Sequence, residues 1–213
     1  TWVYLQNNQG NFEKGTYLDN SWLHEDMGIA IFDINLDGKK DIYVGSGGNE
    51  FYEGAQRLND RVYLQNPTGG FELDASFETD VQSTGPVSIA DYDGDGDIDV
   101  FVGARFKPKA YPEAGRSKLF INENGKLVDK TDELAGEFEN LGLVTAAIWT
   151  DFNNDSATDL IVVGEWMSPQ FYKNDNGNLR LQSLPELETR LKGLWSSIIS
   201  TDIDKDGFGQ LWP

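Results

Sequence analysis

Residues 91–99 read DYDGDGDID, with five aspartates and two glycines in nine positions. Carboxylates this close repel one another, and burying them unpaired is costly. A cation removes the problem. Counting from Asp91, side chains at positions 1, 3 and 5 (Asp91, Asp93, Asp95) alternate along the loop, and position 9 is Asp99. A chain curling around an ion turns such alternate side chains inward and adds the backbone carbonyl of position 7, here Asp97. Oxygen ligands in that number suit Ca²⁺. Gly96 at position 6 allows the sharp turn that a Cβ would resist.

The stretch has three relatives. DINLDGKKD covers 33–41, DFNNDSATD 151–159 and DIDKDGFGQ 202–210, and the first aspartates of the four loops are 58, 60 and 51 residues apart. The first relative offers Asp33, Asn35, Asp37 and Asp41, with the carbonyl of Lys39. The next offers Asp151, Asn153, Asp155 and Asp159, with the carbonyl of Ala157. The last offers Asp202, Asp204 and Asp206, with Gln210 where the closing aspartate would stand. Fewer charges weaken a calcium site, and Ser156 in place of the glycine is strained at positive φ. Occupancy is therefore expected to be strongest at 91–99 and weakest at 202–210. An acidic surface turn has a similar composition, but four copies at matched spacing argue against it. An EF-hand would need Glu at position 12 and helical flanks. Position 12 is instead Val44, Val102, Val162 or Pro213.

The flanks decide the fold class. GIAIF, VSIA, TAAIWT and SSIIST precede the loops, and IYVGS, IDVFVGA and LIVVGE follow the first three. These short runs, rich in Ile, Val and aromatics, read as buried strands. Between loops recurs an N-x-x-G turn with apolar residues on both sides: Asn7/Gly10, Asn66/Gly69, Asn122/Gly125 and Asn174/Gly177. That is a β-hairpin. One unit is then strand, aspartate loop, strand and hairpin, four antiparallel strands in the length of a propeller blade. The sequence predicts an all-β protein, a β-propeller of about four blades over 1–213, with units starting near Gly28, Gly85 and Val144. Four blades lie at the small end of the range, so the chain reads as part of a larger propeller. A β-sandwich is the fallback. A helical turn is expected within 131–141, and a short helix or connection over 185–194.

Composition narrows the partners. A formal net charge of −19 makes nucleic acid and anionic membrane surfaces poor partners. There is no cysteine, which excludes disulfides, thiolate nucleophiles and Cys-based zinc sites. No run approaches the ~18 apolar residues of a membrane span, and the N-terminal TWVYLQNNQG does not read as a signal peptide.

The repeats GIAIFDINLDGKKDIYVGS, VSIADYDGDGDIDVFVGA, AAIWTDFNNDSATDLIVVG and SIISTDIDKDG resemble the FG-GAP or VCBS repeats of integrin α-subunit propellers and many secreted bacterial proteins. The hairpins VYLQN and LFINENG are most similar to the branch of cartilage acidic proteins and UnbV-type bacterial proteins. The resemblance implies a calcium-stabilised propeller, exported to the cell surface, periplasm or exterior, and used for adhesion or ligand binding.

Enzymatic signatures are few. The one histidine, His24, reads as a solvated loop residue, and no P-loop or dinucleotide fingerprint is present. The segment ARFKPKAYPEAGR at 104–116 is locally basic and carries Arg105, Phe106 and Tyr111. With Phe51, Tyr52 and Trp166, which also follow second strands, it forms the candidate ligand surface for a carbohydrate or protein; packing of these aromatics between blades is the equal alternative. Three functions remain open: a non-enzymatic calcium-stabilised binding module, a polysaccharide lyase or hydrolase domain, and a structural spacer.

Overall fold

A computed structural model describes residues 1–18, 21–52, 54–79, 81–185, 192–202 and 210–212. The all-β expectation holds. Three four-stranded antiparallel sheets follow one another along the chain. The first comprises β3 (Glu25–Phe32), β4 (Asp41–Gly47), β5 (Arg61–Gln65) and β6 (Phe71–Leu73). The second comprises β7 (Ser83–Ala90), β8 (Asp99–Phe106), β9 (Lys118–Asn122) and β10 (Leu127–Asp129). The third comprises β11 (Leu143–Thr150), β12 (Asp159–Met167), β13 (Gln170–Asp175) and β14 (Asn178–Gln182), and β15 (Gly193–Leu194) pairs with β12 beyond its contact with β13. Hairpin β1–β2 (Trp2–Gln6 and Phe12–Tyr17) precedes them, and β16–β17 (Ile199–Thr201 and Gln210–Trp212) follows; these are two separate two-stranded sheets.

The register is the same in each blade. Phe32 pairs with Asp41, Ala90 with Asp99, Thr150 with Asp159 and Thr201 with Gln210. Each aspartate loop therefore joins the first two strands of its unit, as the repeat predicts. The expected helical turn is α1 (Thr131–Leu134), followed by a 3₁₀ turn. Residues 186–191 of the expected 185–194 connection lie outside the described residues, and Gly193–Leu194 is strand.

Strands buried on both faces need apolar residues at every position rather than at alternate ones. In β8, Val100 and Val102 pack into a core with Phe32, Tyr43 and Val62 of the first blade. Phe101, from the opposite face, joins Val144, Leu160, Val162 and Tyr172 of the third. Thus each second strand is the seam between two cores. The first strands approach still more closely. A Cβ on Gly28 would stand 2.6 Å from the carbonyl oxygen of Gly85, and one on Gly85 would stand 3.0 Å from that of Val144. This contact explains why the first two units begin with glycine.

Candidate cation-binding loops and ligand surface

Each of the three described loops is folded by its own carboxylates. Asp33 accepts the backbone N–H groups of Asp37 (3.0 Å) and Gly38 (2.8 Å). Asp151 does the same for Asp155 (3.2 Å) and Ser156 (2.9 Å), and Asp91 accepts those of Gly94 (2.9 Å) and Gly96 (3.1 Å). Position 5 accepts from position 7: Asp37 from Lys39, Asp95 from Asp97 and Asp155 from Ala157. The turn needs left-handed backbone at two places. Position 6 is expected from the glycine pattern, with Gly38, Gly96 and Ser156 at φ 86°, 98° and 70°. Position 4 is not, and it holds Leu36, Gly94 and Asn154 at 61°, 80° and 61°.

The closing aspartate is fully buried and has a second task beyond the loop. Asp41 accepts from Ile34 (2.9 Å) inside the loop and from Gln65 (2.8 Å) at the end of the third strand. Asp99 bridges Tyr92 (3.3 Å) to Asn122 (2.9 Å), and Asp159 bridges Phe152 (3.3 Å) to Asn174 (2.8 Å). It ties the loop to the hairpin of its own blade.

Carboxylate oxygens from Asp91, Asp93 and Asp99 all lie within 4.8 Å of one another, and so do those from Asp151, Asp155 and Asp159. Such a convergence of hard oxygen donors fits one Ca²⁺. Burial raises the Asp99 carboxyl to about 7, with the neighbouring Asp93 and Asp95 charges adding to it. Burial also raises Asp93 and Asp159. The negative charge lacks sufficient answer within the protein at those two loops. At 33–41 the position-5 carboxylate is paired instead: Lys39 Nζ sits 2.7 Å from Asp37 and lowers its pKa. Lys173, from β13, is likewise 2.9 Å from Asp155 and lowers that carboxyl. Asp204 and Asp206 lie outside the described residues, and Asp202 is exposed.

The aromatic candidates divide into two groups. Arg105, Tyr111 and Trp166 line a cleft of about 350 Å³ with Glu165 and Trp195. Arg105 pairs with Glu165; the Tyr111 hydroxyl donates to Glu165 (3.1 Å) and accepts from Trp166 Nε1 (3.1 Å). Phe106 stands edge-on to Tyr111. Three expectations change. Trp166 lies inside β12, at the register of Phe106, because that strand continues to Met167. The 104–116 segment is not a free basic patch, since Glu165 answers Arg105 and Glu113 lies 3.8 Å from Lys107. Phe51 and Tyr52 line a different cleft with His24, which is half-buried rather than solvated, its Nδ1 2.8 Å from the Arg57 carbonyl. Trp166 is 64% and Tyr52 69% exposed, whereas Phe51 and Phe106 are partly buried. Sheet topology places both clefts at the end of the blades opposite the aspartate loops.

Residues 151–210 match the FG-GAP-like repeat family. The chain is also 31% identical to cartilage acidic protein 1 of Mus musculus over 173 residues, 75% of this chain and 24% of that protein. Residues 151–210 are an FG-GAP-like repeat. The Homo sapiens cartilage acidic protein 1 is 32% identical over 142 residues, 63% of this chain and 20% of that one. The chain thus spans a quarter or less of the length of these curated relatives. Among the described residues no helix is long and apolar enough to cross a membrane.

Proposed function

We propose that this chain is a calcium-stabilised module of an extracellular adhesion-type protein that binds carbohydrate or protein and is not itself an enzyme. The observation that carries the reading is the convergence of acidic oxygens at Asp91/Asp93/Asp99 and Asp151/Asp155/Asp159 in the same loop of successive blades. The residues that would hold the ions are those of the four loops, with Asn35, Asn153 and the carbonyls of Lys39, Asp97 and Ala157 completing the sets. Bound calcium supplies positive charge at the blade edge and no reaction.

The ligand surface is placed at the Arg105–Glu165–Tyr111–Trp166 cluster. Trp166 adopts φ 62°, a costly conformation for a bulky residue, and it displays its ring rather than burying it. Strain retained at an exposed aromatic supports a binding role. A lyase would need a base and an unpaired cation, and Arg105 is engaged by Glu165. Two measurements test the proposal. Chelation with EDTA is expected to lower the melting temperature, because calcium binds the folded state; an unchanged melting curve would refute the calcium assignment. On glycan and extracellular-protein arrays, binding is expected to be lost with Trp166→Ala, while an elimination assay on acidic polysaccharides stays blank.

A further inference from the structure

The larger cleft, about 1030 Å³, lies beside the connection between the second and third strands of the first blade. His24, Phe51, Tyr52, Arg57, Asn59 and Arg61 line it. Two buried side-chain atoms on this lining, Asn59 Oδ1 and Arg61 Nε, hydrogen-bond no group among the described residues. Buried polar atoms nearly always have partners, so each such exception points to something that binds there. Arg61 is only 5% exposed. Its terminal nitrogens are already engaged, by Asp26, Ser46 Oγ (3.2 Å) and Tyr63 Oη (3.2 Å). Asp26 answers the charge, and Nε is the one guanidinium nitrogen that bonds nothing among the described residues.

Asn59 and Arg61 are two residues apart. Asn59 is extended, with φ −67° and ψ 129°, and Arg61 opens β5, so the two side chains leave the same side of the backbone. The carboxylate of Asp60 between them instead serves Tyr43, Ser46 and Thr84. His24 contributes an acceptor. Its Nδ1 faces the Arg57 carbonyl, which can only accept, so Nδ1 carries the proton and Nε2 of the neutral ring is bare. Burial, and then the nearby Arg61 charge, lower the His24 pKa and favour that neutral ring. Phe51 lies under the Arg57 guanidinium, 5.5 Å from ring centre to charge, and Tyr52 is open to solvent.

We propose that this cleft binds a neutral sugar ring. A hydroxyl accepts and donates, which matches an unpartnered N–H and an unpartnered carbonyl oxygen on one lining, and an aromatic face matches the C–H face of a pyranose. Glu50 and Asp74, also on the lining, oppose an anionic sugar. The site is separate from the Trp166 surface and does not depend on it.

Isothermal titration and saturation-transfer NMR with glucose, galactose, mannose and N-acetylglucosamine, and with glucuronate as the anionic control, test the proposal. At least one neutral sugar is expected to bind the wild type, and glucuronate more weakly. Tyr52→Ala and Asn59→Ala are each expected to weaken binding about fivefold or more, the loss of a stacked ring or one hydrogen bond. Phe12→Ala, on the exposed N-terminal hairpin and not on this lining, is expected to leave it unchanged. Tyr52 is exposed, so its variant folds and keeps the test decisive if Asn59→Ala does not. The proposal is overturned if no neutral sugar binds, if glucuronate binds more tightly, or if binding survives Tyr52→Ala but not Trp166→Ala.

Discussion

Asn174 of the third blade donates from Nδ2 to the backbone carbonyl of Tyr92 in the second blade's aspartate loop, 2.7 Å across 82 residues of sequence. Asn122 of the second blade does the same to Ile34 of the first, at 2.9 Å. Each hairpin asparagine also donates its backbone N–H to the closing aspartate of its own blade and accepts the turn glycine's N–H on Oδ1. One buried side chain thus joins a turn, its own loop and the loop of the blade before it. The Tyr92 hydroxyl returns the contact by donating to the Gly177 carbonyl, 2.7 Å away.

Asn174→Ala removes the side-chain bonds to Tyr92, Thr158 and Gly177 and strands buried carbonyls, each worth about 1 kcal/mol net. A loss of ~2–3 kcal/mol in urea denaturation is expected. Asn66→Ala is the comparison, because every side-chain bond of Asn66 stays within its own hairpin, Nδ2 to Glu72 and Oδ1 from Thr68 and Gly70, and these bonds are at the surface, so its loss should be smaller. Equal losses would contradict the inter-blade role.

The closing aspartate differs from the other ligand positions in that it holds the fold without metal. Asp41→Ala leaves the N–H groups of Ile34, Asn35 and Gln65 unsatisfied, at ~2–3 kcal/mol by the same reckoning. Asp37→Ala removes an exposed carboxylate paired with Lys39 and should change little. In EDTA, melting of the two variants should separate clearly. If both are silent until calcium is added, Asp41 is a ligand only.

Much of this was legible before any coordinates. The aspartate loops, the N-x-x-G hairpins and the Gly28, Gly85 and Val144 starts stand in the sequence because each is a local demand: charge, turn geometry or close approach. What was illegible depends on a neighbour remote in the chain. Asn122 and Asn174 read as turn residues, since their second partners lie in another blade. Leu36, Gly94 and Asn154 share no residue type, so the left-handed position they occupy leaves no pattern in the sequence. Arg105 read as a free cation because Glu165 is 60 residues away.

Lys173 competes with a cation for Asp155 in the third loop. The pair is exposed, so solvent screens it and its strength should be small. Lys173→Gln is therefore expected to tighten calcium binding at 151–159 about twofold to fivefold, while Ile121→Gln, at the matching position of the second blade, offers no such gain. Calcium titration calorimetry on each variant reads the difference. Unchanged or weaker binding in Lys173→Gln would remove the competition argument.

Ser156 at φ 70° holds a left-handed backbone that costs a side-chain-bearing residue roughly 1–2 kcal/mol. Glycine relieves this but adds freedom to the unfolded chain. Ser156→Gly should raise stability by up to ~1 kcal/mol, and Gly96→Ser should lower it by a similar amount. Opposite shifts in melting temperature are the expected result; shifts of the same sign would refute the strain.

Asp60 gives the fold a pH dependence that calcium does not touch. It is buried against Tyr43 (2.8 Å), the Ser46 N–H (2.8 Å) and Thr84 of the second blade (3.1 Å). Burial raises its carboxyl from 3.8 to about 6, outweighing the hydrogen bonds and Lys118, which lower it. Folding therefore favours the protonated form. Its contribution is fully present below pH 3.8 and is lost as pH rises through about 6. At ~1.4 kcal/mol per pH unit the difference reaches ~3 kcal/mol. Asp60→Asn keeps a neutral group of the same shape, with an oxygen for Ser46 and an N–H₂ for Tyr43. In saturating calcium, which holds the loop carboxylates constant, the wild type should lose stability between about pH 4 and about pH 7. The variant should lose less, by up to that amount. Parallel urea midpoints for the two proteins across the range would show that Asp60 does not govern it.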